Sequence, residues 1–385
     1  MSIKNLKTIY YRAEEPSNEA YDKTKTFQEI KVSEYTLEGR TEIFETEILS
    51  HSRKLSTSKS GGRNTGSLKI TKNLDLSILE SHSGLLEAGI GTITSVGTDK
   101  TVSAVTTTTI TSSSTNYVAG DIIQITADSI KFNNLLVLSA DATTVTLRTA
   151  LSASEVSQIN IATVKTVRKQ ITCKIGSPVQ GSTFCFVVRY DDDSVEVLRG
   201  CGVAGSFELS NSGHAKISFD IKSASVDWKD EFNNVYGIPT GTITSESAGG
   251  RPVKYDFKSS LMYNPVTPSD LTLFPQTLSL KVAHTLENNE LIGGLNNING
   301  FYTNPSVECE ANFHYSGANR LTFSDQYENN TNQFYFCGQS TFAFYAPLCF
   351  FVAGNPSEHN VYDSINVKMN INTSATSEPI VVLPQ

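Results

Sequence analysis

At 385 residues the chain is too long for one hydrophobic core, so two or three domains are expected. Apolar residues at 38% and charged residues at 18%, with Thr, Ser, Asn and Gly filling the difference, fit an all-β extracellular or viral protein rather than a helical enzyme. A formal net charge of −8 excludes a protein whose affinity comes from neutralising phosphates, although a conduit for sliding DNA is compatible with mildly repulsive walls.

No window reaches the roughly 18 apolar residues of a bilayer span, and the N-terminal stretch lacks a signal-peptide core, so the chain reads as soluble and unexported. The cysteines Cys173, Cys185, Cys201, Cys309, Cys337 and Cys349 form no CxxC pair and have no His at zinc-ligand spacing. They are expected as buried thiols on strands, which fits assembly in a reducing cytoplasm.

In chain order, residues 1–26 are polar and aperiodic and read as an arm that orders against a partner. TEIFETEILS, 41–50, is strand-like. The Gly-rich stretch 51–65 reads as a polar loop. In GSLKITKNL, Leu68 and Ile70 alternate with Ser67, Lys69 and Thr71, the period of a half-buried strand. Asp75 or Ser77 then caps a short helix carrying Leu76, Leu79 and Leu86, ended by Gly89 and Gly91. Residues 92–168 shift to Thr, Val and Ser, and four short β runs there predict a small inserted barrel.

The first domain, 27–91 plus 169–228, resumes with QITCKIG, STFCFVVRY and SVEVLRGCGV, the last two joined by a turn at Asp191, Asp192 and Asp193. HAKISFDIK alternates cleanly, so one of its faces is wet. Residues 229–250 are rich in Gly, Ser and Asn and read as a linker. The second domain, 251–385, repeats the series strand, long loop, alternating strand, short helix (around Asn319 to Tyr327) and further strands, which suggests duplication. The fold class is all-β with one or two short helices.

No catalytic site stands out. The six histidines are scattered without an HExxH pair, and no P-loop, GxSxG or GxGxxG precedes a helix. The three consecutive aspartates lack the alternate spacing of a cation loop and read as a hairpin tip. Glu45 and Glu47 share a strand face, whereas glycosidase carboxylates oppose one another across a cleft. No enzyme activity, cofactor or metal is therefore assigned.

The segment EILSHSRKLSTSKSGGRNTGSLKITKNLDLSILESHSGLLEAGIG resembles the strand, Arg-bearing loop, strand and helix of the tail tube (major tail) proteins of siphophages, in their two-domain version. TNYVAGDIIQITADSIKFNNLLVLSADATTVTLRTAL is similar to a small module common in these proteins, and the loop-strand pattern returns after LSLKVAHTLENN. The aromatic segment from Phe334 to Phe351 departs from that pattern.

The resemblance implies a structural virion protein of duplicated tail-tube-type sandwich/barrel units with an inserted small barrel, assembled in the host cytoplasm into the tail. It implies trimeric rings of pseudo-sixfold symmetry, or hexamers, stacked on identical rings around a lumen. DNA passes there transiently during ejection, without specific binding. Its other partners would be the tape measure protein and the tail tip and terminator proteins. Lumen-facing positions would be Ser67, Lys69 and Thr71 in one unit and Glu308, Glu310, Asn312 and His314 in the other. Ring-to-ring loops would carry Arg53, Lys54, Lys59 and Arg63, and Asn288, Asn296 and Asn297. The same strand faces and loops also fit ordinary solvated surface. The main alternative is a receptor-binding or decoration protein of the virion surface, using the Thr-rich insert and the aromatics near Tyr335 and Tyr345. A carbohydrate-active enzyme on a β scaffold is a third.

Overall fold

The computed structural model describes residues 6–15, 19–49, 55–75, 77–94, 97–113, 115–175, 183–209, 214–223, 225–229, 237–247, 259–264, 269–273, 275–283, 286–287, 301–302, 306–314, 333–338, 342–359, 362–371 and 380–382; for 39–65, 209, 225–229, most of 259–302, 314, 333–338, 351–359 and 362–364 it describes the backbone alone.

The first half begins with β1 (Leu6–Ala13), β2 (Phe27–Ile30), β3 (Glu34–Leu49), β4 (Leu55–Asn73) and helix α1 (Ser77–Gly89). The inserted module follows: β5 (Lys100–Val105), β6 (Thr109–Ser112), β7 (Ile122–Ala127), β8 (Ile130–Ala140), β9 (Thr144–Leu147), α2 (Ala153–Ile161) and β10 (Lys165–Lys169). The half closes with β11 (Thr172–Lys174), β12 (Phe184–Tyr190), β13 (Val195–Leu209), β14 (Lys216–Ser223), β15 (Ser225–Lys229) and β16 (Ile243–Thr244). The second half holds β17 (Ser259–Asn264), β18 (Ser269–Leu273), β19 (Pro275–Ala283), β20 (Leu286–Glu287), β21 (Phe301–Tyr302), β22 (Ser306–His314), β23 (Gln333–Gly338), β24 (Ala343–His359), β25 (Tyr362–Ile371) and β26 (Ile380–Val382).

Eight of these strands form one antiparallel sheet in the order β3-β4-β14-β13-β19-β22-β25-β24. The first four come from the first half of the chain and the last four from the second. β13 and β24 are long enough to serve two layers. The N-terminal part of β13 pairs with β12 and β15, and that of β24 with β23 and β26. The second layer is completed by β1 and β2 beside β12, and by β17 and β18 beside β23. Seven pairings of the first half (β1–β2, β1–β12, β12–β13, β13–β15, β13–β14, β14–β4, β4–β3) thus recur in order in the second as β17–β18, β17–β23, β23–β24, β24–β26, β24–β25, β25–β22 and β22–β19.

Alternation explains why these segments fold as they do. Leu68 and Ile70, Ile217, Phe219 and Ile221, Cys309, Ala311 and Phe313, and Ile365, Val367 and Met369 point from the eight-stranded sheet into one continuous core. Ile9, Tyr11, Phe186, Phe344 and Ala346 meet them from the second layer, and α1 adds Leu85, Leu86 and Ala88. The Asp75 carboxylate accepts from the Ser77 backbone N–H at 2.9 Å, as the capping signal required. Where the chain after α1 crosses β13, Gly205 is obligatory, since a Cβ there would lie 2.4 Å from Cγ1 of Ile90.

The insert is a closed six-stranded barrel, β10-β5-β6-β9-β8-β7, with its own core of residues such as Ile110, Ile125, Val137 and Val167. The four runs read from the sequence are joined by β5 and β10, whose Lys and Thr content hides their period. α2 also departs from the all-strand reading of the insert. Its signal was a capping box: the Ser152 side chain accepts from Glu155 N–H and the Glu155 side chain accepts from Ser152 N–H.

Three sequence expectations need correcting. The first 26 residues are not an arm along their whole length, because β1 is an inner strand with Ile9, Tyr10 and Tyr11 buried. The stretch 51–65 is not wholly loop: from Leu55 onward it is strand, paired with β3. A hairpin partner supplies the ladder that such a polar sequence does not predict. The described part of the linker, 237–247, is packed against the first half. Tyr21 Oη donates to the Gly237 carbonyl at 2.6 Å, Ile243 pairs beside Phe27, and Glu246 is buried. The expected helix around Asn319 to Tyr327 lies outside the described residues.

Candidate functional site

Residues directly opposite one another in an antiparallel sheet point to the same face. Following the register strand by strand therefore traces one surface. Glu34, Thr36 and Glu38 of β3 stand opposite Thr71, Lys69 and Ser67 of β4. Those three stand opposite Ser218, Asp220 and Lys222 of β14. Ser206 and Glu208 of β13 face Ser218 and Lys216 on one side and Ala283 and Lys281 of β19 on the other. Lys281 and Ser279 then oppose Glu308 and Glu310 of β22, which with Asn312 oppose Asn370, Lys368 and Asn366 of β25. Seven strands thus carry a single hydrophilic face, although the halves lie far apart in sequence. At the eighth, Phe350 of β24 takes the place opposite Asn370.

Charges on this face are interleaved. Lys216 Nζ lies 3.1 Å from the Glu34 carboxylate and Lys69 Nζ 3.7 Å from that of Asp220. Lys281 is flanked by Glu208 and Glu308, and Lys368 stands opposite Glu310. Five lysines (69, 216, 222, 281, 368) meet six carboxylates (34, 38, 208, 220, 308, 310), a net −1 over these described positions. Exposed pairs of this kind add little stability, but they leave no basic stripe for phosphate.

The sheet ends in two open edges. β3 pairs with β4 alone, and beyond Ala353 β24 pairs with β25 alone among the described residues. Past Gly66, where β14 stops pairing, β3 and β4 continue as a two-stranded ribbon to Leu49 and Leu55.

The expected lumen positions fall together. Ser67, Lys69, Thr71, Glu308, Glu310 and Asn312 share this face, and His314 takes the next register position, opposite Ser364. Of the expected ring-contact residues, Lys59 lies in the ribbon opposite Glu45, and Arg63 lies in β4 at a register shift. Arg53, Lys54, Asn288, Asn296 and Asn297 lie outside the described residues. The aromatic segment has a structural role. Phe342 and Phe344 enter the common core, while Ala343 and Tyr345 meet Ile122 and Leu136 of the inserted barrel. Tyr345 is 7% exposed, which removes it as a ligand-contacting aromatic.

Sequence reading missed a buried ionic cluster behind α1. Glu246 accepts from Lys72 Nζ at 2.5 Å, Ser77 Oγ at 2.8 Å and Lys31 N–H at 2.6 Å, and lies 3.2 Å from His82 Nε2. Tyr11 Oη is 2.9 Å from His82 Nδ1. Burial works to raise the Glu246 carboxyl, but the hydrogen bonds from His82, Lys72, Lys31 and Ser77 outweigh it and hold it well below the usual range. Burial pushes His82 down despite Glu246. Tyr11, Lys72, Ser77, His82 and Glu246 are all buried, so the cluster ties residues 237–247 to the fold instead of facing a substrate. No single-sequence signal pairs residue 72 with residue 246.

Asp191 to Asp193 form the β12–β13 turn, with Asp193 paired to Arg189 at 2.6 Å and Lys7 at 3.1 Å. Among the described residues no three His, Cys, Asp or Glu converge on a metal position, and no helix is long and apolar enough to cross a membrane. Cys173, Cys185, Cys201, Cys309 and Cys349 are buried free thiols, and burial raises the first two to about 12. No protein-family model and no curated protein matches this chain.

Proposed function

We propose that this chain is the tail tube subunit of a long-tailed bacteriophage, a non-enzymatic structural protein built from two duplicated units. The observation that carries the reading is the continuous polar face of a sheet whose two outer strands each lack a ladder partner on one side among the described residues. The chain contains a template for closing them: β13 of the first half is joined to β19 of the second. Since β24 repeats the pairings of β13, and β19 those of β3, β24 of one copy is suited to β3 of the next. A head-to-tail contact of this kind closes into a ring and removes the aggregation-prone edges.

Strand spacing decides the copy number. With strands about 4.8 Å apart, sixteen strands enclose a backbone circle about 24 Å wide and twenty-four one of about 37 Å, more when tilted. After about 5 Å of side chain on each wall, openings of about 14 and 27 Å remain without tilt, and about 22 and 38 Å with strands tilted by about 40°, so sixteen strands leave a duplex about 20 Å across little or no clearance while twenty-four pass it at any tilt. Three copies are therefore the smallest ring that passes DNA freely whatever the tilt. The charge-balanced wall suits sliding, and the β3–β4 ribbon reaches beyond the sheet toward a stacked ring. The tape measure, tail tip and terminator proteins would be its further partners in the virion.

Negative-stain microscopy of the purified protein tests the reading, which expects rings or tubes with a central hole. Particles that stay single at every concentration contradict it. A second reading, a virion-surface binding or decoration role for the inserted barrel, is favoured by Ile130, Ile161 and Val164, which are 49%, 81% and 61% exposed. A host-cell or glycan pull-down unaffected by Ile161→Asp counts against that role.

A further inference from the structure

Behind β3, the outermost strand of the polar-faced sheet, the core is not sealed. One strand further in, Leu68 and Ile70 of β4 are 0% and 1% exposed. Their partners in β3, Leu37 and Tyr35, point to the same core but are only partly buried. Val32, where the chain crosses from β2 to β3, is partly buried against that core as well. So is Leu6, which the antiparallel β1–β2 ladder brings beside this crossing. Edge strands are commonly guarded by proline or by a charge pointing inward, and Glu34 to Glu38 has neither, since both glutamates lie on the polar face.

The join inside the chain shows what covers such a flank. β19 holds in the second half the place that β3 holds in the first, and β13 lies against it with Phe207 opposite Val282. Phe207 is 0% exposed there. Because β24 repeats the pairings of β13, its core-side positions are the ones a ring sets against β3. These are Phe351 and Ala353, opposite the buried Met369 and Val367. A bulge and Pro356 follow Ala353 and keep the ladder on that edge short, so side-chain burial has more of the contact to carry.

We propose that Tyr35 and Leu37, flanked by Val32 and Leu6, are the apolar anchor of the contact between copies and receive the core-side residues of β24 of the neighbouring copy. The inference rests on the ring reading above and deepens it: two copies share one core across their seam, as the two halves do across β13 and β19. Thr36 and Glu38 meanwhile continue the hydrophilic face, and a slip of one residue would set apolar positions against polar ones.

Tyr35→Thr with Leu37→Thr keeps strand propensity and removes most of the apolar area. In sedimentation velocity of the full chain over a concentration series, this double variant is expected to need about tenfold more protein than the parent to form rings. Tyr35→Phe with Leu37→Met, which keeps the area, is expected to match the parent. A double Thr variant that is folded by circular dichroism and forms rings at the parent's concentration overturns the anchor and leaves a ring held by backbone pairing. A parent that forms no rings at any concentration overturns the ring reading and the anchor together. If the double Thr variant does not fold, Leu37→Thr alone decides: rings at the parent's concentration overturn the anchor, and a requirement raised about threefold or more supports it.

Discussion

Replacing Glu246 with Ala removes the carboxylate that compensates a lysine buried to 6% side-chain exposure. It leaves Lys72 with Asp75 at 3.8 Å as its remaining charge partner, and strips acceptors from Ser77 Oγ and from the Lys31 N–H. Breaking a buried pair from one side costs about 3–5 kcal/mol, because the surviving charge stays desolvated. The Gln variant keeps an acceptor for the Lys31 N–H and should fall between the Ala variant and the parent. Glu246→Ala with Lys72→Met should recover most of the loss, since the stranded charge is gone. Urea unfolding followed by Trp228 fluorescence reads all four proteins. A Glu246→Ala cost below about 1 kcal/mol, the range of an exposed pair, would refute the reasoning.

Three further outcomes follow from the same geometry. Because the folded state holds His82 below its ordinary 6.5, the unfolded chain takes up a proton first as pH falls. Stability should be full above about pH 6.5 and decline below it, and His82→Gln should flatten that slope in pH-dependent denaturation. Gly205→Ala drives a methyl into Cγ1 of Ile90 and should cost about 1–3 kcal/mol, partly relieved by Ile90→Ala, which removes that atom; Gly91→Ala meets the Lys174 carbonyl, a backbone atom, and should resist any such rescue in thermal melts. Glu308→Lys with Glu310→Lys moves the counted charge of the polar face by four, from −1 to +3 per copy. Tubes of that variant should retain duplex DNA in low salt and release it as salt rises, whereas DNA passing equally well through both contradicts a lumen role for this face.

Legibility in the sequence followed locality. The alternations at Leu68 and Ile70, at Ile217 to Ile221 and at Cys309 to Phe313 predicted half-wet strands, because a period of two is a local property. The same alternation placed Ser67, Lys69 and Thr71 on one face and Glu308, Glu310 and Asn312 on another. That both are the same face depends on β13 meeting β19, a contact between distant segments which no local pattern encodes. Buried IYYR in β1 and the polar ribbon around Lys59 were misread for a related reason: their partners, β12 and β3, supply what their own composition lacks. Glu246 looked like part of a linker because its counter-charge lies 174 residues away in sequence.

The mass of the assembled ring tests the central claim most directly. At 41.9 kDa per chain, three copies give 3 × 41.9, or about 126 kDa, and native mass spectrometry of single rings should find that value. A species that remains at one copy leaves β3 and β24 open, one that stops at two leaves duplex DNA little or no clearance, and either would contradict the account.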